Sequence, residues 1–163
     1  MKNPKYWVEN LNLLPHPEGG FFKEVYRSSA SFEPVNFDGK RNYATSIYFL
    51  LEEGNVSNFH SIKSDEIWCY HAGDALSVFV IGLDGKLHEL KIGPNPDKGE
   101  LLQAMVPARS IFGSKSNGKY SLIGCMVSPG FDFNDFKLNT TSELLERYPD
   151  YHVIIKELSK DKS

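Results

Sequence analysis

From Phe21 to Val127 this chain reads as one short strand after another, each closed by a turn signal, and no other feature restricts its fold as much. FFKEVYRS alternates charge with bulk, and NYATSIYFLL, from Asn42 to Leu51, is a run of β-branched and aromatic residues. DEIWCYHAGD reads as a strand ending at Gly73. ALSVFVIG (75–82) and KLHELKI (86–92) flank Leu83-Asp84-Gly85. An Asp-Gly pair between two such runs is a hairpin signal, because its backbone twist matches that of the flanking strands. GPNPDKGE is a loop, and LLQAMVP, RSIFGS and YSLIGCMVS supply three more strands. About eight short strands at this spacing predict a β-sandwich or barrel.

The period changes at both ends. Tyr6, Trp7, Leu11 and Leu14 recur at helical spacing, so residues 4–12 predict a helix that Pro15 and Pro17 stop. Near the other end, Thr141 or Ser142 is placed to cap an ELLERY helix. Its acids, Glu143 and Glu146, lie near the start and Arg147 near the end, as the helix dipole prefers. YHVIIKELSK predicts a second helix with Val153, Ile154 and Leu158 on one stripe. The 163 residues suit one domain, with a barrel over about 20–130 and C-terminal helices over about 141–160.

A net charge of −3 argues against a nucleic-acid partner and against a polybasic membrane anchor. No apolar leader opens the sequence, and no stretch approaches the ~18 apolar residues of a membrane span, so a cytoplasmic protein is expected. The two cysteines, Cys69 and Cys125, read as small buried hydrophobes.

The chemistry-bearing residues concentrate in GNVSNFHSIKSDEIWCYHAG, residues 54–73. On a regular strand from Asp65, Glu66, Trp68 and Tyr70 share one face, and Ile67, Cys69 and His71 share the other. An acid beside two large aromatics resembles the wall of a pocket, where His60 and Glu66 could move protons or bind metal. A lone His–Glu pair in a β-rich chain is more often structural, so the pattern alone carries little.

The same stretch resembles the first cupin motif. Gly54 is followed after five residues by His60, and Glu66 after six residues by Gly73; Ile62 replaces the motif's second His. PHPEGGFFKEVYRS, IYFLL, FHSIKSDEIWCYHAGD, VPARSIFG and GCMVSPGFDFNDFKL resemble, in order, the blocks of the Cupin_5 or DUF985 family, from about Leu11 to Pro149. The resemblance implies an all-β double-stranded β-helix, the cupin jelly-roll barrel, with a cavity for a small polar molecule. It also implies a homodimer, since cupins commonly pair through sheet edges. Metal-binding cupins take three ligands from the first motif and one from the second. Here His60 and Glu66 match, but Ile62 and Phe112 stand at the other two positions, and Arg109 stands where Gly is expected. Cys69 replaces a His frequent in the family. No cofactor is therefore expected; a metal, if bound, would take His60 and Glu66.

The leading expectation is a metal-independent isomerase or epimerase on a carbohydrate-like substrate. His60 would be the base, Glu66 would orient it or stabilise its charged form, and Tyr70 (or Tyr26 or Tyr48) would be the acid. Glu24, Tyr26, Tyr48, Trp68 and His71 are the candidate ligand contacts. Glu24 and Tyr26 share a strand face, with Arg27 opposite as a structural ion-pair partner. A non-catalytic binding or sensing module is the first alternative. A metal-dependent oxygenase or isomerase, which needs a third ligand, is the second. Arg41 reads as an exposed loop charge and His16 as a structural hydrogen-bonder in PHPEGG. His88 and His152 read as exposed, and Phe131, Phe133 and Phe136 as core or interface.

Overall fold

The structure, a computed structural model, describes residues 2–161. Its strands, in chain order, are β1 (Leu14–Pro15), β2 (Phe21–Arg27), β3 (Ser31–Phe32), β4 (Arg41–Asn42), β5 (Thr45–Glu52), β6 (Val56–Ser61) and β7 (Asp65–Gly73). There follow β8 (Leu76–Ile81), β9 (Leu87–Ile92), β10 (Gln103–Val106), β11 (Ile111–Ser116), β12 (Tyr120–Ser128) and β13 (Lys137–Leu138). The helices are α1 (Pro4–Leu11), α2 (Thr141–Arg147) and α3 (His152–Glu157). A six-stranded sheet, β1-β2-β5-β12-β7-β10, packs on a five-stranded sheet, β13-β6-β11-β8-β9, and β3 pairs with β4 alone. All of these pairings are antiparallel. This is the expected jelly-roll class, with one correction: the two sheets do not close into a barrel.

Core residues come from the inner faces of both sheets. Phe49, Trp68, Ile123 and Cys125 of the first meet Val78, Val80 and Phe112 of the second. The β8–β9 hairpin forms where Asp-Gly predicts it, with Ile81 opposite Leu87 and Gly85 at positive φ. Helix α1 covers one end of the outer face of the six-stranded sheet. Its Trp7, Val8 and Leu11 pack on Leu50, Tyr120 and Leu122, and Trp7 Nε1 donates to Tyr120 Oη at 3.0 Å.

The C-terminal helices cover Phe59, Ile81 and Ile111. Their cap lies one residue before the expected Thr141 or Ser142. Thr140 accepts from the Glu143 N–H, and Glu143 accepts from the Thr140 N–H in return, a reciprocal capping box. The buried stripe of α3 also differs. Leu158 is buried and Ile154 packs on the same cluster as expected, but Ile155 completes the stripe and Val153 is 71% exposed.

Register shifts override strand parity in β2 and β7, and a third falls between β6 and β11, where Phe112 pairs with His60 but Ser114 with Ser57. In β2, Glu24 pairs with Ile47 and Tyr26 with Ser46, leaving Val25 extra. Beyond it Arg27 returns to the inner face, opposite Thr45. The expected arrangement is thus reversed: Tyr26 turns outward, 53% exposed, and Arg27 joins Glu24. In β7 the shift falls between Tyr70 and Ala72, leaving His71 extra. A bulge places two residues opposite one, so every side chain beyond it changes face.

Candidate functional site

Between the sheets, at the Arg27 end of β2, lies a cavity of about 450 Å³. That volume suits a small organic ligand. Strands β2, β5, β12 and β7 supply Glu24, Arg27, Thr45, Cys125 and Glu66, and β6 supplies His60. The PHPEGG turn brings His16 and Glu18, and the segment after β12 brings Phe131, Asp132, Phe133 and Phe136. The turn reaches the site because Gly19 and Gly20 have positive φ and lie against backbone. A Cβ at Gly19 would run into the Val56 carbonyl, and one at Gly20 into the Leu50 carbonyl.

The Nδ1 of His60 lies 2.7 Å from the carbonyl oxygen of Asn58. A carbonyl can only accept, so Nδ1 carries the proton and the neutral ring keeps its lone pair on Nε2. The ring stacks on Phe136 at 5.1 Å and tilts against Phe112 at 4.3 Å. Burial pulls the His60 pKa down to about 4, although the Asn58 hydrogen bond opposes this. Glu66 shows the converse. Burial raises its pKa to about 7, against a lowering by its hydrogen bond with Cys125. Near neutral pH the cavity therefore holds a neutral imidazole and a carboxyl poised between its two forms. No hydrogen bond joins the two, so the expected orienting role of Glu66 falls to the Asn58 carbonyl.

His16 Nδ1 accepts the Glu18 N–H at 3.0 Å, the expected turn contact, and its ring meets Phe22 edge-on at 4.9 Å. Burial lowers its pKa. Burial raises that of Glu18, partly offset by Lys160, and Glu18 Oε2 is buried without a hydrogen-bond partner. At the rim, Arg27 Nε donates to Glu24 at 2.6 Å, and its Nη1 donates to Asn42 Oδ1 and the Phe131 carbonyl at 2.8 and 3.2 Å.

Arg41 corrects the reading of an exposed loop charge. It is 4% exposed, and its Nε and Nη2 each donate to Asp135 at 2.7 Å. This buried fork ties the segment before β5 to the turn carrying Phe133 and Phe136. Phe131 and Phe136 pack on the core, as read from sequence, and also line the cavity; Phe133 lines it too but is 67% exposed.

Of the residues proposed from sequence, His60, Glu66 and Glu24 meet in the cavity. The others lie elsewhere. Trp68 is buried among Phe49 and Phe112. Tyr70 packs on the same core and donates to the Gly73 carbonyl at 2.8 Å. Tyr48 and His71 meet edge-on at 5.7 Å on the outer face, where Gly124 leaves room for the imidazole. Tyr26 is outside as well. Sequence reasoning missed His16, Glu18, Arg27 and Cys125; the His-x-Glu-Gly-Gly turn was the signal for the first two.

The donor set does not fit a resident metal. Ile62 and Phe112 hold the positions of two ligands, and among the described residues no three His, Cys, Asp or Glu side chains gather around one point. Metal sites held by protein ligands ordinarily use three or four.

The family model described as Cupin superfamily (DUF985), Cupin_5, matches residues 5–139. The uncharacterized protein YML079W of Saccharomyces cerevisiae is 32% identical, over 78% of this chain and 71% of that protein. Protein SO0799 from Shewanella oneidensis superposes with a TM-score of 0.92 at 41% identity, over 99% of this chain and all of its own. A variant of oxalate decarboxylase from B. subtilis superposes with a TM-score of 0.57 at 13% identity, over 91% of this chain and 38% of its own, a likeness of fold alone.

Proposed function

This chain belongs to the Cupin_5 family, the DUF985 branch of the cupin superfamily, and we propose that it binds a small polar molecule in the cavity between its sheets. The carrying observation is convergence. Four titratable side chains, His16, Glu18, His60 and Glu66, line one aromatic-walled cavity, and burial shifts each toward its neutral form. Perturbed groups gathered in a concave site mark function more often than structure.

The chemistry this set supports is metal-independent proton transfer of the isomerase or epimerase kind. His60 Nε2, with its lone pair free, serves as base. Glu66 serves as acid, since its raised pKa keeps a proton available near neutral pH. Tyr70 gives way to Glu66 in the acid role, because its hydroxyl is committed to the Gly73 carbonyl. The protein would be incubated in D2O with small hydroxy-aldehydes and hydroxy-ketones, and exchange at the carbon beside the carbonyl followed by NMR. Exchange that His60→Gln abolishes supports the reading. Binding without exchange leaves a sensing or carrier module, and exchange unchanged in His60→Gln overturns the role of His60.

We also propose a cytoplasmic homodimer. Tyr26, Ser46, Met126, Ile67 and Met105 stand opposite one another in one cross-strand row on the outer face of the six-stranded sheet. Tyr26, Met105 and Met126 in that row are exposed, and a second copy would cover them.

A further inference from the structure

The charges lining the cavity do not balance. Four carboxyls face it, those of Glu18, Glu24, Glu66 and Asp132, and the one guanidinium among them, Arg27, is already held by Glu24, Asn42 and the Phe131 carbonyl. Asp132 is also engaged, accepting the Asn134 N–H at 2.8 Å. Glu18 and Glu66 remain. Glu66 is 8% exposed, and its hydrogen bond is with the Cys125 thiol rather than with a cation. Glu18 keeps a buried oxygen without a partner; Lys160 attracts it from a distance but makes no ion pair with it. The two imidazoles contribute no compensating charge, because burial keeps both neutral. Around the carboxyls stand Phe22, Phe131, Phe133 and Phe136, whose ring faces attract cations and repel anions.

Resting on the reading of this cavity as a ligand site, we infer that its ligand is a polyol-sized molecule bearing a protonated amine, whose nitrogen answers the unpaired carboxyl of Glu18. An ammonium brings both charge and donors to a group that lacks them. A carboxylate or phosphate would meet that unpaired acid and would have to take Arg27 from Glu24. A neutral polyol could donate hydrogen bonds but would leave the Glu18 carboxyl without a counter-charge.

Three probes share one carbon frame and differ at one end: glucamine ends in an ammonium, sorbitol in a hydroxyl and gluconate in a carboxylate. Their binding to the full-length protein would be measured by titration calorimetry at neutral pH and modest salt. Glucamine should bind at least about tenfold more tightly than sorbitol, and gluconate most weakly. In Glu18→Gln, close in shape to the wild type, the preference for glucamine over sorbitol should fall. Sorbitol or gluconate binding as well as glucamine overturns the amine while sustaining the ligand site. Glucamine preference unchanged in Glu18→Gln also overturns it. Failure of all three probes, with neutral or anionic sugars binding instead, does the same. If no small molecule of any charge occupies the cavity, the binding function itself falls with it.

Discussion

Removing Arg41 tests whether the floor of the site is held by a buried charge pair. Its fork with Asp135 has two contacts of 2.7 Å, and the two side chains are 3% and 4% exposed. Breaking such a pair by deleting one partner costs about 3–5 kcal/mol, because the other charge stays buried. For a chain of this size about 1 kcal/mol moves the melting temperature by about 2–4 °C, so Arg41→Met should lower it by roughly 6–20 °C. The two halves are not equivalent. If Asp135 is removed, the Arg41 Nη1 still donates to the Asp38 and Lys40 carbonyls at 3.0 and 2.8 Å. Asp135→Leu should therefore cost less than Arg41→Met. The double replacement, Arg41→Met with Asp135→Leu, should recover most of the loss, since an apolar pair of similar volume escapes the desolvation cost. Urea unfolding of the four proteins gives the energies. A loss below about 1 kcal/mol for Arg41→Met would place the pair among screened surface bridges and refute the argument.

Three further outcomes are expected. His60, with its pKa lowered to about 4, costs stability as pH falls from 6.5 toward 4, where the unfolded chain takes a proton the folded one refuses. Glu66, with its pKa raised to about 7, costs stability as pH rises from 4.5 through 7, so the two slopes oppose each other over the acidic range. Glu66→Gln should therefore gain stability relative to wild type between pH 5 and pH 8, by at most about 3 kcal/mol, and equal differences at both pH values would contradict the shift. Gly20→Ala should cost more than about 1 kcal/mol and weaken ligand binding, through its φ of +74° and the nearby Leu50 carbonyl. Light scattering on the wild type and Met126→Lys tests the dimer: a monomer in the wild type, or a dimer as tight in the variant, counts against the outer-face interface.

The strand pattern, the Asp-Gly hairpin and the helices at each end were readable because each depends on neighbours a few residues apart. His60, Glu66 and Glu24 were readable too, His60 and Glu66 through a spaced motif. What escaped was geometry that one added residue decides. Val25 carries no mark of a bulge, yet it sends Tyr26 outward and Arg27 inward. Arg41 looks solvated beside Gly39 and Lys40, and only the return of the chain at Asp135 buries it. His16 met its expected turn contact, but its place at the cavity depends on β5 and β6 passing beneath Gly19 and Gly20.

The kink at Val25 has a second effect, on how the molecule behaves in a crowd. β1 pairs with β2 only at Phe21 and Phe22, so from Lys23 to Arg27 one side of β2 is an open edge. A flat open edge offers a template on which a foreign strand can add, and chains can then polymerise. An irregular edge offers no continuous register to copy. The residue that delivers a guanidinium to the cavity thus also disrupts that template. A variant engineered to straighten β2 would risk clumping as well as a changed binding site.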